Sequence, residues 1–181
     1  MRTRTSRRTV AMLAGLALMS GLVFAGPEAA SASSTAARPT WTTDPATVTR
    51  TPTTVPLVTG IRVGRHASFD RIVVDLSGKA PGYSVRYVST LRRDGSGEAV
   101  DLLGRRSLQI VLTPANAHDT NGQPTLTTPG RRTFAHPEIR EYALIGDFEA
   151  QVTIGVGLRH KKPFRVLNLS DPRRIVIDVR H

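Results

Sequence analysis

The chain has 181 residues, 25 Lys and Arg against 14 Asp and Glu, a formal net charge of +11, and no cysteine. The missing cysteine excludes a disulfide framework, a thiolate metal site and an acylated-cysteine anchor. Hydrophobic residues make up 39% but aromatic ones only 5%, so any core must be built largely from aliphatic side chains.

The chain opens with MRTRTSRR, four arginines ahead of an apolar run from Val10 to Ala25, and the small residues that follow end in Ala30-Ser31-Ala32. That order is the pattern of a secretory signal peptide over residues 1–32, cleaved after Ala32. The apolar run is shorter than the ~20 residues a membrane-spanning helix needs. Ser6-Arg7-Arg8 also permits twin-arginine export. Removing four arginines and Glu28 with this segment leaves 21 basic and 13 acidic side chains, a net charge of +8. An exported chain of this charge is expected to meet anionic polymers such as teichoic acid, peptidoglycan or lipid headgroups, although the same charge also simply keeps a domain soluble.

Residues 33–56 are dominated by Thr, Pro, Ala and Ser and read as an extended, disordered linker. Trp41, the sole tryptophan, reads there as an incidental aromatic of a flexible tail, the alternative being an anchor for a partner or for the domain surface.

The folded part is expected over residues 57–181, long enough for one core and too short for two. Alternation of apolar and polar residues marks strands at Val58 to Val63, Arg71 to Leu76, Tyr83 to Val88 and around Leu108, Ile110 and Leu112. A loop rich in proline and glycine turns runs over 113–137. Another strand covers Ile139 to Ile145, and Gly146-Asp147 is expected to turn the chain. The clearest alternation follows, with Phe148, Ala150, Val152, Ile154, Val156 and Leu158 on one side and Glu149, Gln151, Thr153, Gly155 and Gly157 on the other. At roughly 3.3 Å per residue a strand of that length would overrun a small domain, so Gly155 and Gly157 are expected to mark a bend or bulge. FRVLNLS and RRIVIDVRH complete the series. Arg71-Ile72-Val73-Val74-Asp75-Leu76 and Arg174-Ile175-Val176-Ile177-Asp178-Val179 share one pattern. Either the pattern is simply a common one for β-strands, or the two occupy equivalent positions in a β-sandwich, one near each end of the domain. Seven to eight short strands without a helical window imply an all-β fold, an antiparallel β-sandwich or partly open barrel.

Chemistry is sparse. There is no nucleophile elbow, phosphate loop or zinc-protease helix. The histidines at 66, 118, 136, 160 and 181 show no strong metal spacing, so no metal site or cofactor is expected. Asp119-Thr120-Asn121-Gly122 opens like a calcium loop, but Gly130 stands where its final acidic ligand belongs, and a polar turn is the simpler reading. Asp147 and Glu149, two apart on one strand, would share a face as paired carboxylates or solvated edge charges. Two basic groups are candidates for phosphate or carboxylate binding: Arg131, Arg132 and His136, and the turn bearing Arg159, His160, Lys161 and Lys162. Runs of charge are also ordinary in solvated turns. Aromatics do not interleave with bases as in nucleic-acid modules, and export makes nucleic acid an unsuitable partner.

GIRVGRHASFDRIVVDLSG with PGYSVRYV, then GDFEAQVTIGVGL and FRVLNLSDPRRIVIDVRH, together resemble the AMIN-like domain of secreted actinobacterial proteins and lipoproteins, over nearly all of 57–181. That family is related to the AMIN domains of murein amidases and secretins, which bind peptidoglycan. The resemblance implies a noncatalytic, secreted envelope module whose partner is peptidoglycan or teichoic acid. This chain departs from it in lacking a hydrolase domain and a lipidated cysteine. The competing expectations are a wall hydrolase, with a pocket where His118 or His136 meets a carboxylate, and a protein-interaction module using a sheet edge.

Overall fold

The computed structural model describes residues 39–181. The expected signal peptide and the first residues of the expected linker lie outside the described residues. Twelve strands run β1 (Ala46–Val48), β2 (Leu57–Arg65), β3 (Phe69–Ser77), β4 (Gly82–Val88), β5 (Leu91–Arg92), β6 (Ala99–Val100), β7 (Arg106–Thr113), β8 (Arg131–Thr133), β9 (Ile139–Phe148), β10 (Gln151–Leu158), β11 (Phe164–Ser170) and β12 (Arg173–Arg180). Six strands form one sheet in the order β1-β4-β7-β10-β9-β8, four form a second in the order β11-β12-β3-β2, and β5 pairs with β6. All pairings are antiparallel. Neither large sheet closes into a barrel. The fold is the expected all-β one, and the eight strands read from alternation are joined by four short ones of two or three residues.

The two large sheets pack face to face. Val74, Ile175 and Ile177 of one meet Val85, Ile110, Ile154 and Val156 of the other in a single aliphatic core, each with 0% exposure. Burying one such side chain is worth roughly 1.5–3 kcal/mol, so strand alternation alone dictates which face turns inward. Strand β2 shows how a register irregularity serves this. Its pairing with β3 skips Thr59, which lets Val58 and Ile61 both reach the core where strict alternation would turn one of them out.

The hairpin of β9 and β10 corrects the sequence reading. The chain turns at Glu149 and Ala150, whose φ values of 49° and 55° are left-handed, rather than at Gly146-Asp147. Phe148 therefore ends one strand, where it pairs with Gln151 and is exposed, while Asp147 pairs with buried Val152, so Phe148 does not share the inner face of Val152, Ile154, Val156 and Leu158 as alternation led one to expect. The Gly157/Leu158 step does carry a register shift, but the extra residue, Arg140, is supplied by β9. The glycines serve a different purpose. Leu91, Val100, Ala143 and Ile145 form a second apolar cluster on the outer face of the six-stranded sheet, with Leu102 against it. A Cβ on Gly155 would stand 2.8 Å from the Leu91 Cδ1, and one on Gly157 would collide with the Leu103 carbonyl. Only glycine lets the segment around β5 and β6 lie this close.

Residues 39–56 also differ from expectation. Thr42 exchanges two backbone hydrogen bonds with Phe164, at 2.9 and 2.8 Å, and β1 adds an edge strand to β4. A Thr- and Pro-rich composition supplies little core, but a sheet edge supplies a backbone ladder that needs no apolar side chains.

Replacement Gly157→Ala is expected to destabilise the protein by about 1–3 kcal/mol, the usual cost of overpacking. Gly64→Ala, where nothing lies within 4 Å, should be neutral or slightly stabilising. Urea unfolding of both variants checks this, and equal stabilities would contradict the close-approach explanation.

Candidate functional site

The repeated R-I-V-x-D pattern is resolved by register. β3 and β12 are neighbours, not distant equivalents, and their antiparallel pairing sets Arg71 opposite Asp178 and Arg174 opposite Asp75. Odd positions of β3 and even positions of β12 point away from the core. On that face Asp178, fully buried, accepts two hydrogen bonds from Arg71 at 2.6 and 3.0 Å and one from Arg165 of β11 at 2.9 Å. A buried carboxylate is tolerable only when paired and hydrogen-bonded in this way. Asp75 is taken by Arg62 instead, at 2.6 Å, and Arg174 bonds the Pro172 and Asp171 carbonyls.

Aromatic rings lie against these guanidinium groups. Arg71 and Arg165 stand 5.2 and 5.4 Å from the Phe69 ring centre. Trp41 is flanked by Arg165 at 4.5 Å and Arg180 at 5.1 Å and tilts against Phe69 at 6.1 Å. His66 stacks on Phe69 at 4.4 Å. The Thr42–Phe164 bridge places Trp41 here, so the tryptophan is an anchor on the domain surface and not a tail residue. Two arginines share one aspartate, and exposed Arg180 pairs with no carboxylate among the described residues. The patch thus joins two half-buried aromatic rings to a surplus of positive charge, a combination that suits an anionic ligand.

The residues singled out from sequence fall elsewhere. Arg131 donates to Glu141 at 2.6 Å and to the Asp101 carbonyl at 2.9 Å, a structural pairing. Arg132 is exposed above the Phe134 ring. His136 points towards buried Asp70, its Nδ1 4.0 Å from Oδ1. Arg159 is exposed, and its N–H donates to the Glu138 carbonyl, which sets the basic turn beside the loop carrying His136. Lys161 lies over the Tyr87 ring at 5.5 Å, and the Lys162 backbone both donates to and accepts from the Tyr87 hydroxyl. Asp147 and Glu149 do not share a face. Asp147 is held inward by the Ala117 N–H and His118, whereas Glu149 sits in the hairpin turn. Asp119 caps its own turn by accepting from Asn121 and Gln123, as a polar turn does.

The long loop encloses a groove of about 540 Å³ lined by His118, Leu126, Thr128, Leu144 and Asp147. His118 Nδ1 lies 2.7 Å from Asp147, which leaves Nε2 as the nitrogen available to the groove. No hydroxyl bonds His118 among the described residues. At their present separations no three His, Asp or Glu side chains among the described residues are set to grip a metal ion.

A family model, that of the AMIN-like domain, matches residues 56–181. No curated protein and no solved structure matches the chain.

Burial alone would raise the Glu141 carboxyl, but hydrogen bonds from Arg131 and the Leu103 N–H, with the guanidinium charge, outweigh it and hold the group below its ordinary 4.5. A depressed carboxyl contributes stability that is present above its unfolded pKa and is lost as pH falls through the folded value. Glu141→Gln should therefore flatten the acid limb of stability below about pH 4.5. Urea unfolding across that range tests this; an unchanged acid limb would remove the Arg131–Glu141 pair as its source.

Proposed function

The chain belongs to the AMIN-like domain family, and from that premise we propose that it is a noncatalytic, secreted cell-envelope module that binds peptidoglycan or another anionic wall polymer. The observation that carries this reading is the arginine and aromatic face around Asp178. Guanidinium groups such as Arg180 meet carboxylate or phosphate in forked geometry, and the partly exposed Trp41 and Phe69 beside them add apolar contact. Trp41 lies before the matched segment of 56–181, so the preceding residues contribute to the face. The net charge of +8 expected after processing raises encounter rates with such a polymer.

The His118–Asp147 pair favours a second reading, a wall hydrolase, since an aspartate-oriented imidazole opening on a groove is what a general base requires. The binding reading is preferred because no hydroxyl hydrogen-bonds that imidazole among the described residues.

Sedimentation with isolated wall sacculi, with and without teichoic acid and over a range of salt, separates the two. Binding without release of soluble fragments is expected, weakening as salt shortens the screening length to about 8 Å near 0.15 M. Combined Trp41→Ala and Arg180→Ala should cost on the order of tenfold in affinity, about 1.4 kcal/mol. Release of muropeptides that stops in His118→Ala would put the hydrolase first, and no sedimentation at low salt would sink wall binding.

A further inference from the structure

Three buried side-chain atoms have no hydrogen-bond partner among the described residues, and all three belong to one cluster: Asp70 Oδ1, His136 Nδ1 and His181 Nε2. Asp70 is fully buried at the start of β3. His136 comes from the loop between β8 and β9, and His181 follows β12. The two imidazoles approach the same carboxylate oxygen, at 4.0 and 3.7 Å. Both distances are too long for a hydrogen bond. Elsewhere the protein closes such pairs directly, His118 on Asp147 at 2.7 Å and His160 on Glu138 at 2.9 Å. Among the described residues, only at Asp70 do imidazoles face a carboxylate across a gap.

The other Asp70 oxygen is fixed by the Glu138 and Ile139 N–H groups at 2.7 and 2.9 Å, which aims Oδ1 at the gap. The His181 N–H donates to the Ser68 carbonyl at 3.2 Å, which ties that residue beside Asp70. No Lys or Arg pairs with Asp70 among the described residues. A buried carboxylate without a cationic partner is costly, and such groups are paired or coordinate metals.

We propose that Asp70, His136 and His181 form a binding site for one divalent transition-metal ion, with Zn²⁺ the species that two imidazoles and a carboxylate suit. Tetrahedral zinc with ligands at 2.0–2.2 Å sets them about 3.3 Å apart, so the two rings must move in by about half an ångström. As they stand the three side chains are not set to grip an ion, so binding requires this movement. The ion would cross-link β3, the loop before β9 and the segment after β12 in a chain that has no cysteine. The supporting bonds to Asp70 Oδ2 are the outer-shell contacts that orient a metal-binding carboxylate.

The test uses the purified protein stripped with a chelator and titrated with Zn²⁺ alone, followed by calorimetry and thermal unfolding, and with Co²⁺ as a visible-absorption probe. The expected result is one equivalent of either metal, a raised unfolding midpoint, and a tetrahedral Co²⁺ spectrum. His136→Ala and His181→Ala should each weaken binding by more than the 10–100-fold that loss of an outer-shell contact costs. His118→Ala and His160→Ala, which remove the other paired imidazoles, should leave the equivalent in place. Uptake that survives the double variant His136→Ala/His181→Ala overturns the assignment. Absence of uptake by the folded protein also overturns it and leaves a water molecule as the occupant of the gap.

Discussion

The Asp178 carboxylate governs the outer face of the four-stranded sheet. It has no exposure and satisfies two guanidinium groups at once, and charge-assisted bonds of this kind are about twice as strong as neutral ones. Holding Arg71 and Arg165 in place turns flexible side chains into a fixed layer, and Phe69 and Trp41 rest against that layer. Removing the carboxylate would leave two like charges side by side and take away the fixed guanidinium layer against which the rings rest. The two arginines exceed the one aspartate by a unit of charge, so the interaction that rigidifies the face also makes it positive.

The opposite side of the sandwich is closed by different means. Thr153, Gly155 and Gly157 would form a smooth polar stripe if the segment bearing β5 and β6 were absent. Leu91 and Leu102 cover it, and the Thr153 hydroxyl donates to Asp94 at 2.7 Å. Of the two outer faces, one is therefore filled by the protein's own loop and the other carries the arginine and aromatic layer. This asymmetry leaves the arginine and aromatic layer as the outer sheet face not covered by that loop.

The main strands were legible because burial enforces alternation, and β3, β4, β7 and β12 appear where their periodicity puts them. The hairpin turn at Glu149 was not, since Phe148 and Ala150 extend the alternation of β10 in sequence although Phe148 faces outward, and no glycine marks the left-handed positions. β1 was hidden because edge pairing through the backbone leaves no apolar signature in a Thr-rich segment. The site followed the same logic. The paired Arg and Asp of the two similar strands were visible, but only the register joins Arg71 to Asp178. Trp41 lies 124 positions before Arg165 in sequence, and nothing local announces that they stack. Arg131 and Asp147 looked available because their partners, Glu141 and His118, are brought up by folding.

The most direct measurement follows the emission of Trp41, the protein's sole tryptophan, while solubilised wall polymer is titrated in. A ligand on the arginine and aromatic face must alter that ring's surroundings, so the account predicts a saturable change in emission whose midpoint moves to higher polymer concentration as salt is added. Polymer that demonstrably binds while Trp41 emission stays constant would contradict the assignment of this face and place the binding surface elsewhere.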